Sequence, residues 1–293
     1  MYLLWQGVAM VAIALGLAHL YSARQFQART VNSIRALEQT PALLTNSADL
    51  EADAIALPPL VRAYAHRALP AERTHPRTVW VRQAGEMRLS PEQPWRSFEA
   101  QQYVSVRQPG FVWRARMRFS PLVRLSAVDR YGTDADGRRQ GALEVRGFDS
   151  IPLVNATGDV TSKGQLMRYL AELPLCPDAL LDNRELNWRP FGDRAVEVSA
   201  GEGSDRAVVR LEFDARGDVV GTYAAARPRS ETELLPWRGI YSDFATIAGY
   251  RLPTRGEVSW ILPDGTAFAY WRGRITDYAI DPDHKAAGLA LEG

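Results

Sequence analysis

The chain has 293 residues, 46% of them hydrophobic, and its 35 basic and 34 acidic side chains leave a net charge of +1. That balance gives no electrostatic footprint for nucleic acid or for a strongly acidic partner. A lone cysteine, Cys176, flanked at short range by Pro174 and Pro177, excludes an intrachain disulfide framework and reads as a buried, inert thiol.

From Leu3 to Tyr21, nineteen consecutive residues carry no formal charge. As a helix this stretch is about 28 Å long, close to the ~30 Å hydrocarbon core of a bilayer, and Trp5 and Tyr21 fall at interfacial depth. The sequence therefore predicts a transmembrane anchor over residues 1–23 and a single-pass protein of the cell membrane. A cleaved secretory signal fits poorly, because no Lys or Arg precedes the apolar run and Tyr21 stands two positions before the nearest Ala-ending site. Arg24, Arg29 and Arg35 follow the span, and by the positive-inside rule that flank favours the cytoplasm, although long translocated domains escape the rule.

Residues 24–57 read as a juxtamembrane segment and linker, and 281–293 as a flexible tail. Between them, 58–280 reads as one β-rich domain. Pro58 and Pro59 open a short helix whose apolar members Val61, Tyr64, Ala65 and Ala68 recur at helical spacing. A second helix follows Ser162 as its cap, carries Leu166, Tyr169, Leu170 and Leu173, and stops at Pro174. Elsewhere the period is two. The clearest strand runs from Phe111 to Phe119, with Phe111, Trp113, Ala115, Met117 and Phe119 on a core face and Val112, Arg114, Arg116 and Arg118 on a cationic one. Further strands are predicted at 77–89, 97–106, 123–131, 142–145, 195–199, 207–213, 219–225, 256–262 and 267–280. The turn sequences ending in Gly137, Gly217 and Gly265 connect several of them as hairpins. The predicted fold class is α+β, mainly antiparallel β: an N-terminal transmembrane helix, then a large curved sheet with few helices.

No cofactor loop, no zinc spacing and no nucleophile elbow is present, so the sequence implies neither cofactor nor metal. Asp134 and Asp136 resemble the start of a calcium loop without its remaining ligands, and Arg216-Gly217-Asp218 falls inside a predicted turn. One pattern stands out. Five of the eight tryptophans are followed by arginine, at residues 95–96, 113–114, 188–189, 237–238 and 271–272. Neighbours in a strand face opposite ways, so the plain reading puts Trp in the core and Arg in water, paired with acids such as Glu86, Glu144 or Glu257. The functional reading has the aromatics lining a cavity and some arginines at its mouth. On it, the candidate ligand-binding residues are Trp113, Arg114, Asp129, Tyr131, Trp237, Arg238, Trp271 and Arg272.

The strings Leu57-Pro-Pro-Leu-Val-Arg-Ala-Tyr64, Pro109-Gly-Phe-Val-Trp-Arg-Ala-Arg116, Asp129-Arg-Tyr131, Leu170-Ala-Glu-Leu-Pro174, Pro236-Trp-Arg-Gly239, Arg255-Gly-Glu-Val258 and Tyr270-Trp-Arg-Gly-Arg274 carry a resemblance. Together they resemble a family of uncharacterised bacterial proteins with an N-terminal membrane segment. The resemblance implies a shape similar to the half-barrel of periplasmic lipoprotein carriers, no known activity, and an extracytoplasmic domain. Three functions follow as expectations: a membrane-tethered domain binding an apolar or lipid-like ligand, a structural or partner-binding envelope protein, and, last, a hydrolase using Asp129, Tyr131 and Glu257.

Overall fold

Thirteen strands share one antiparallel sheet in the computed structural model, which describes residues 2–39, 57–120, 123–134 and 136–282, with side chains from Ile13 onward. β1 (Thr78–Met87), β2 (Arg96–Ser105), β3 (Phe111–Ser120), β4 (Val123–Thr133), β5 (Arg139–Gly147) and β6 (Ile151–Ala156) meander outward. β7 (Asn187–Pro190), β8 (Ala195–Ala200), β9 (Ala207–Phe213), β10 (Val219–Pro228), β11 (Leu234–Ile247), β12 (Tyr250–Ile261) and β13 (Ala267–Ile280) march back. β13 then pairs with β1, so two arms meet at a central seam and β6 and β7 are the free edges.

Four α-helices accompany the sheet among the described residues: α1 (Tyr2–Glu38), α2 (Pro59–Ala68), α3 (Asp159–Ala171) and α4 (Ala179–Asp182). α3 touches β4 and β5 of one arm and β8, β9 and β10 of the other. The sheet therefore wraps around it as a half-barrel, and the main core lies between the helices and the concave face. α2 buries Val61, Tyr64, Ala65 and Ala68, as its spacing predicts. α3 begins earlier than expected. Its N-cap is Gly158, and Ser162 lies inside the first turn, where its Oγ donates to the Gly158 carbonyl at 2.8 Å and accepts the Gly141 N–H at 2.9 Å.

Residues 24–38, read from sequence as part of a linker, continue α1. Phe26, Thr30, Ile34 and Leu37 are buried at helical spacing, and the three apolar members pack on Trp80, Tyr103, Val112 and Val128 of the convex face. That contact explains why Val112, on the face predicted to be cationic, is only 2% exposed. Upstream, Ile13, Leu15, Leu17, Leu20 and Tyr21 are exposed. Among the described residues no helix is long and apolar enough to cross a membrane. The side chains of residues 1–12, over half of the uncharged stretch, lie outside the described residues, as do 40–56 and 283–293.

The hairpin glycines have the left-handed backbone expected of them, with φ of +77° at Gly137, +79° at Gly217 and +84° at Gly265. Asp134 Oδ1 accepts the N–H groups of Asp136 and Arg138, and Asp214 Oδ1 those of Arg216 and Asp218. Both aspartates are turn residues.

Candidate functional site

Side chains on the concave face leave a cavity of about 700 Å³ between α3 and the two arms. Trp113, Met117, Val145, Trp237, Tyr241, Val258, Trp260, Tyr270 and Trp271 supply most of its apolar wall. Leu89, Phe119 and Val154 stand at its rim, exposed by 72%, 44% and 42%. The local sequence explains the wall. In Trp237-Arg-Gly239 and Trp271-Arg-Gly273, Trp and Gly share the concave face while Arg points outward. A Cβ on Gly273 would meet the Trp271 ring at 2.7 Å, so only glycine lets that indole lie flat along its own strand. Gly85, Gly273 and Gly256 stand in one register row across β1, β13 and β12, which leaves the middle of the wall bare of side chains.

A polar chain crosses the cavity floor. Trp113 Nε1 donates to Gln83 Oε1 at 2.9 Å, Gln83 Nε2 to Gln102 Oε1 at 3.3 Å, and Gln102 Nε2 to Glu172 Oε2 at 2.5 Å. Arg168 joins the ends, donating from Nε to Glu172 at 2.9 Å and from Nη1 to Asp129 at 2.5 Å while its guanidinium lies 4.9 Å from the Trp113 ring centre. The Gln165 amide also donates to Asp129. Burial pushes the Asp129 carboxyl up, against the pull of Arg168. Burial also acts to lower Arg168, but Glu172 and Asp129 outweigh it and hold the guanidinium above its ordinary value.

Arg227 is the other buried cation of the cavity. It sits 4.6 Å from the Trp237 ring centre and 5.6 Å from that of Trp260, donates to the Gly164 carbonyl at 3.3 Å, and has no carboxylate in ion-pair reach among the described residues. Trp237 Nε1 donates to Tyr270 Oη at 3.0 Å. Buried polar groups without a strong partner are costly, and one facing a cavity is available to a ligand.

Of the residues singled out from sequence, Trp113, Asp129, Trp237 and Trp271 line the cavity. Tyr131 does not: it is packed into the core, and burial pushes its phenol up. Arg114, Arg238 and Arg272 are on the convex face, because a strand turns neighbours to opposite sides. Arg238 pairs with Glu212 and Arg272 with Glu86, while Arg114 lies half-buried, lowered by burial and by Arg116 beside it. The reading missed Arg168, Arg227, Gln165 and Glu172. Gln165 and Arg168 on α3 and Glu172 at its C-cap recur at helical spacing, which resembles a solvated helix face until the sheet is seen to curl around it. Among the described residues no group of three or more His, Cys, Asp or Glu is placed to hold a metal ion.

A family model described as a family of unknown function, DUF6544, matches residues 48–273, so the chain belongs to that family. This bears out the resemblance drawn from the sequence strings. No curated protein matches the chain. Among solved structures, the chain is similar to a DUF1329 family protein from Desulfovibrio piger, at 10% identity over 83% of this chain and 99% of that one, with a TM-score of 0.46. It is similar also to a LolA superfamily protein from Nitrosomonas europaea, at 14% identity over 77% of this chain and 94% of that one, TM-score 0.37. A third similarity is to a β-barrel-like DUF1849 protein from Brucella abortus, at 9% identity over 74% and 99%, TM-score 0.28.

Proposed function

We propose that this DUF6544 protein is a membrane-tethered domain whose half-barrel holds an apolar or lipid-like ligand beside the bilayer. The observation that carries the reading is the cavity itself: about 700 Å³, walled by aromatic and aliphatic side chains and entered past exposed apolar residues. That volume and character are those of small-molecule sites. Arg227 orients the ligand by taking its acidic end. The tether is the uncharged stretch from Leu3 to Tyr21, whose described part is an exposed apolar helix. The domain lies on the extracytoplasmic side; Arg29 of the basic flank is engaged with Glu144 at 3.1 Å, which weakens that flank as a topology signal. A reporter fused after Gly293 and active only in the cytoplasm would reverse the side.

The test is saturable binding of a fluorescent fatty acid by the full chain in a neutral detergent, followed through tryptophan emission. Ala156→Trp adds an indole to the cavity lining from an edge strand and is expected to weaken binding at least about ten-fold while leaving the fold intact. A folded protein that binds no anionic, zwitterionic or neutral lipid would refute the proposal.

A further inference from the structure

The convex face carries charge where strand pairing disfavours it. Arg118 of β3 stands directly opposite Arg124 of β4, and Arg255 of β12 directly opposite Arg274 of β13. Like charges facing each other across an antiparallel pair are destabilising. Both pairs border the same groove, about 1730 Å³, which runs beneath residues His19–Gln27 of α1. Seven arginines and four acids line it. Arg272 is matched by Glu86 and Arg255 by Asp243, each at 2.7 Å. Arg24, Arg116, Arg118, Arg124 and Arg274 are exposed and have no ion pair with any described residue. The unmatched Arg118–Arg124 pair, together with Arg274 facing an Arg255 already taken by Asp243, is not explained by the stability of the fold, but it suits an anion supplied from outside.

The course of α1 identifies that anion. The helix lies along the convex face from Leu37, beside Gly110 and Gly132 at one end of the strands, to His19 and Ser22, which hydrogen-bond to Ser150 at the other. The groove is therefore at the end of the domain from which the uncharged stretch departs. We propose that it binds the phosphate head groups of anionic lipids and so seats the domain on the bilayer surface. This rests on the tethered reading only for what brings that surface within reach; the groove adjoins the apolar cavity, sharing Gly256, Glu257, Gly273 and Arg274 in its lining, but Arg118 and Arg124 line the groove alone and take a different part of a lipid.

The experiment is native mass spectrometry of the full chain in a neutral detergent, titrated with phosphatidylglycerol or with phosphatidylcholine of the same acyl chains. Wild type is expected to prefer phosphatidylglycerol. Each arginine near an anionic surface contributes about a five-fold factor, so Arg118→Ser with Arg124→Ser should weaken phosphatidylglycerol binding about thirty-fold. Phosphatidylcholine binding, which reports the cavity, should not change. The lipid-free double variant should melt no lower than wild type, since a repulsive pair has been removed. Equal binding of the two lipids by wild type, a preference that survives the double substitution, or a fall in melting temperature would each overturn the proposal. Displacement of phosphatidylglycerol by millimolar inorganic phosphate would overturn it in favour of a free-phosphate site. Phosphatidylglycerol preference without any phosphatidylcholine binding would count against the cavity reading and leave the groove standing.

Discussion

The docking of α1 makes residues 22–38 part of the domain, and Phe26→Ala tests this directly. Phe26, Ile34 and Leu37 are 1%, 1% and 3% exposed. Burying three such side chains is worth about 1.5–3 kcal/mol each, or roughly 5–9 kcal/mol together. Part of that orders a helix that would be marginal alone, so the net docking energy is smaller than the sum. Replacing Phe26 by Ala removes a ring packed in the convex cluster and under the Arg146 guanidinium, 5.0 Å from the ring centre. The expected loss is about 3–5 kcal/mol. It is capped by the docking energy, because a released helix has no contacts left to lose. Urea unfolding of a chain lacking residues 1–18 reads the loss as a shifted midpoint. Asn32→Ala, on the exposed side of the same helix, should move stability by no more than about 0.5 kcal/mol. Equal, small effects of the two substitutions would refute the docking argument.

Gly273→Ala should displace the Trp271 ring from the strand and destabilise the domain by about 1–3 kcal/mol; an unchanged melting temperature would mean that the ring does not lie where its 2.7 Å approach puts it. Because burial raises the Asp129 carboxyl above its unfolded value, its contribution to stability is fully present below an unfolded pKa of about 3.9 and is lost as pH rises through the folded value. Asp129→Asn should therefore remove that loss, so that stability relative to wild type increases as pH rises above about 4, and a pH dependence identical to wild type would contradict the shift. For the tether, the wild-type chain should resist carbonate extraction, and Ala12→Arg with Ala14→Arg should disrupt insertion at about 2.5–3.5 kcal/mol per charge; recovery of intact wild type in the soluble fraction would remove the anchor.

Most strands were legible because their faces differ: Ala207–Phe213 alternates buried and half-buried along its whole length. β6, β7 and β11 were not. β6 and β7 are short edge strands containing Pro152 and Pro190, and β6 exposes Ile151, Leu153 and Val154, so neither has a clean inside and outside. In β11, Pro236 and Gly239 interrupt a strand that pairs on both sides. The buried stripe of α1 was hidden by composition, since Thr30 fills one of its four places and its neighbours are polar. Tryptophan facing followed from the period of two. The cavity did not, because it depends on α3 meeting strands of both arms, a contact between distant parts of the chain.

The seam between β1 and β13 has a kinetic consequence. Along each arm the strands pair with their neighbours in sequence, which zip up with short loops to close. The seam instead joins Val79 to Ile280, so its closure waits for the end of the domain to be made. Trp80, Tyr103, Val112 and Val128, on which α1 rests, all belong to the first arm. That arm and its helix can assemble while the ribosome is still translating the second, and domain-by-domain folding from the N-terminus is the usual order in long chains. Until β13 arrives, the unpaired flank of β1 is an open strand edge, the place where a nascent chain most readily pairs with the wrong partner.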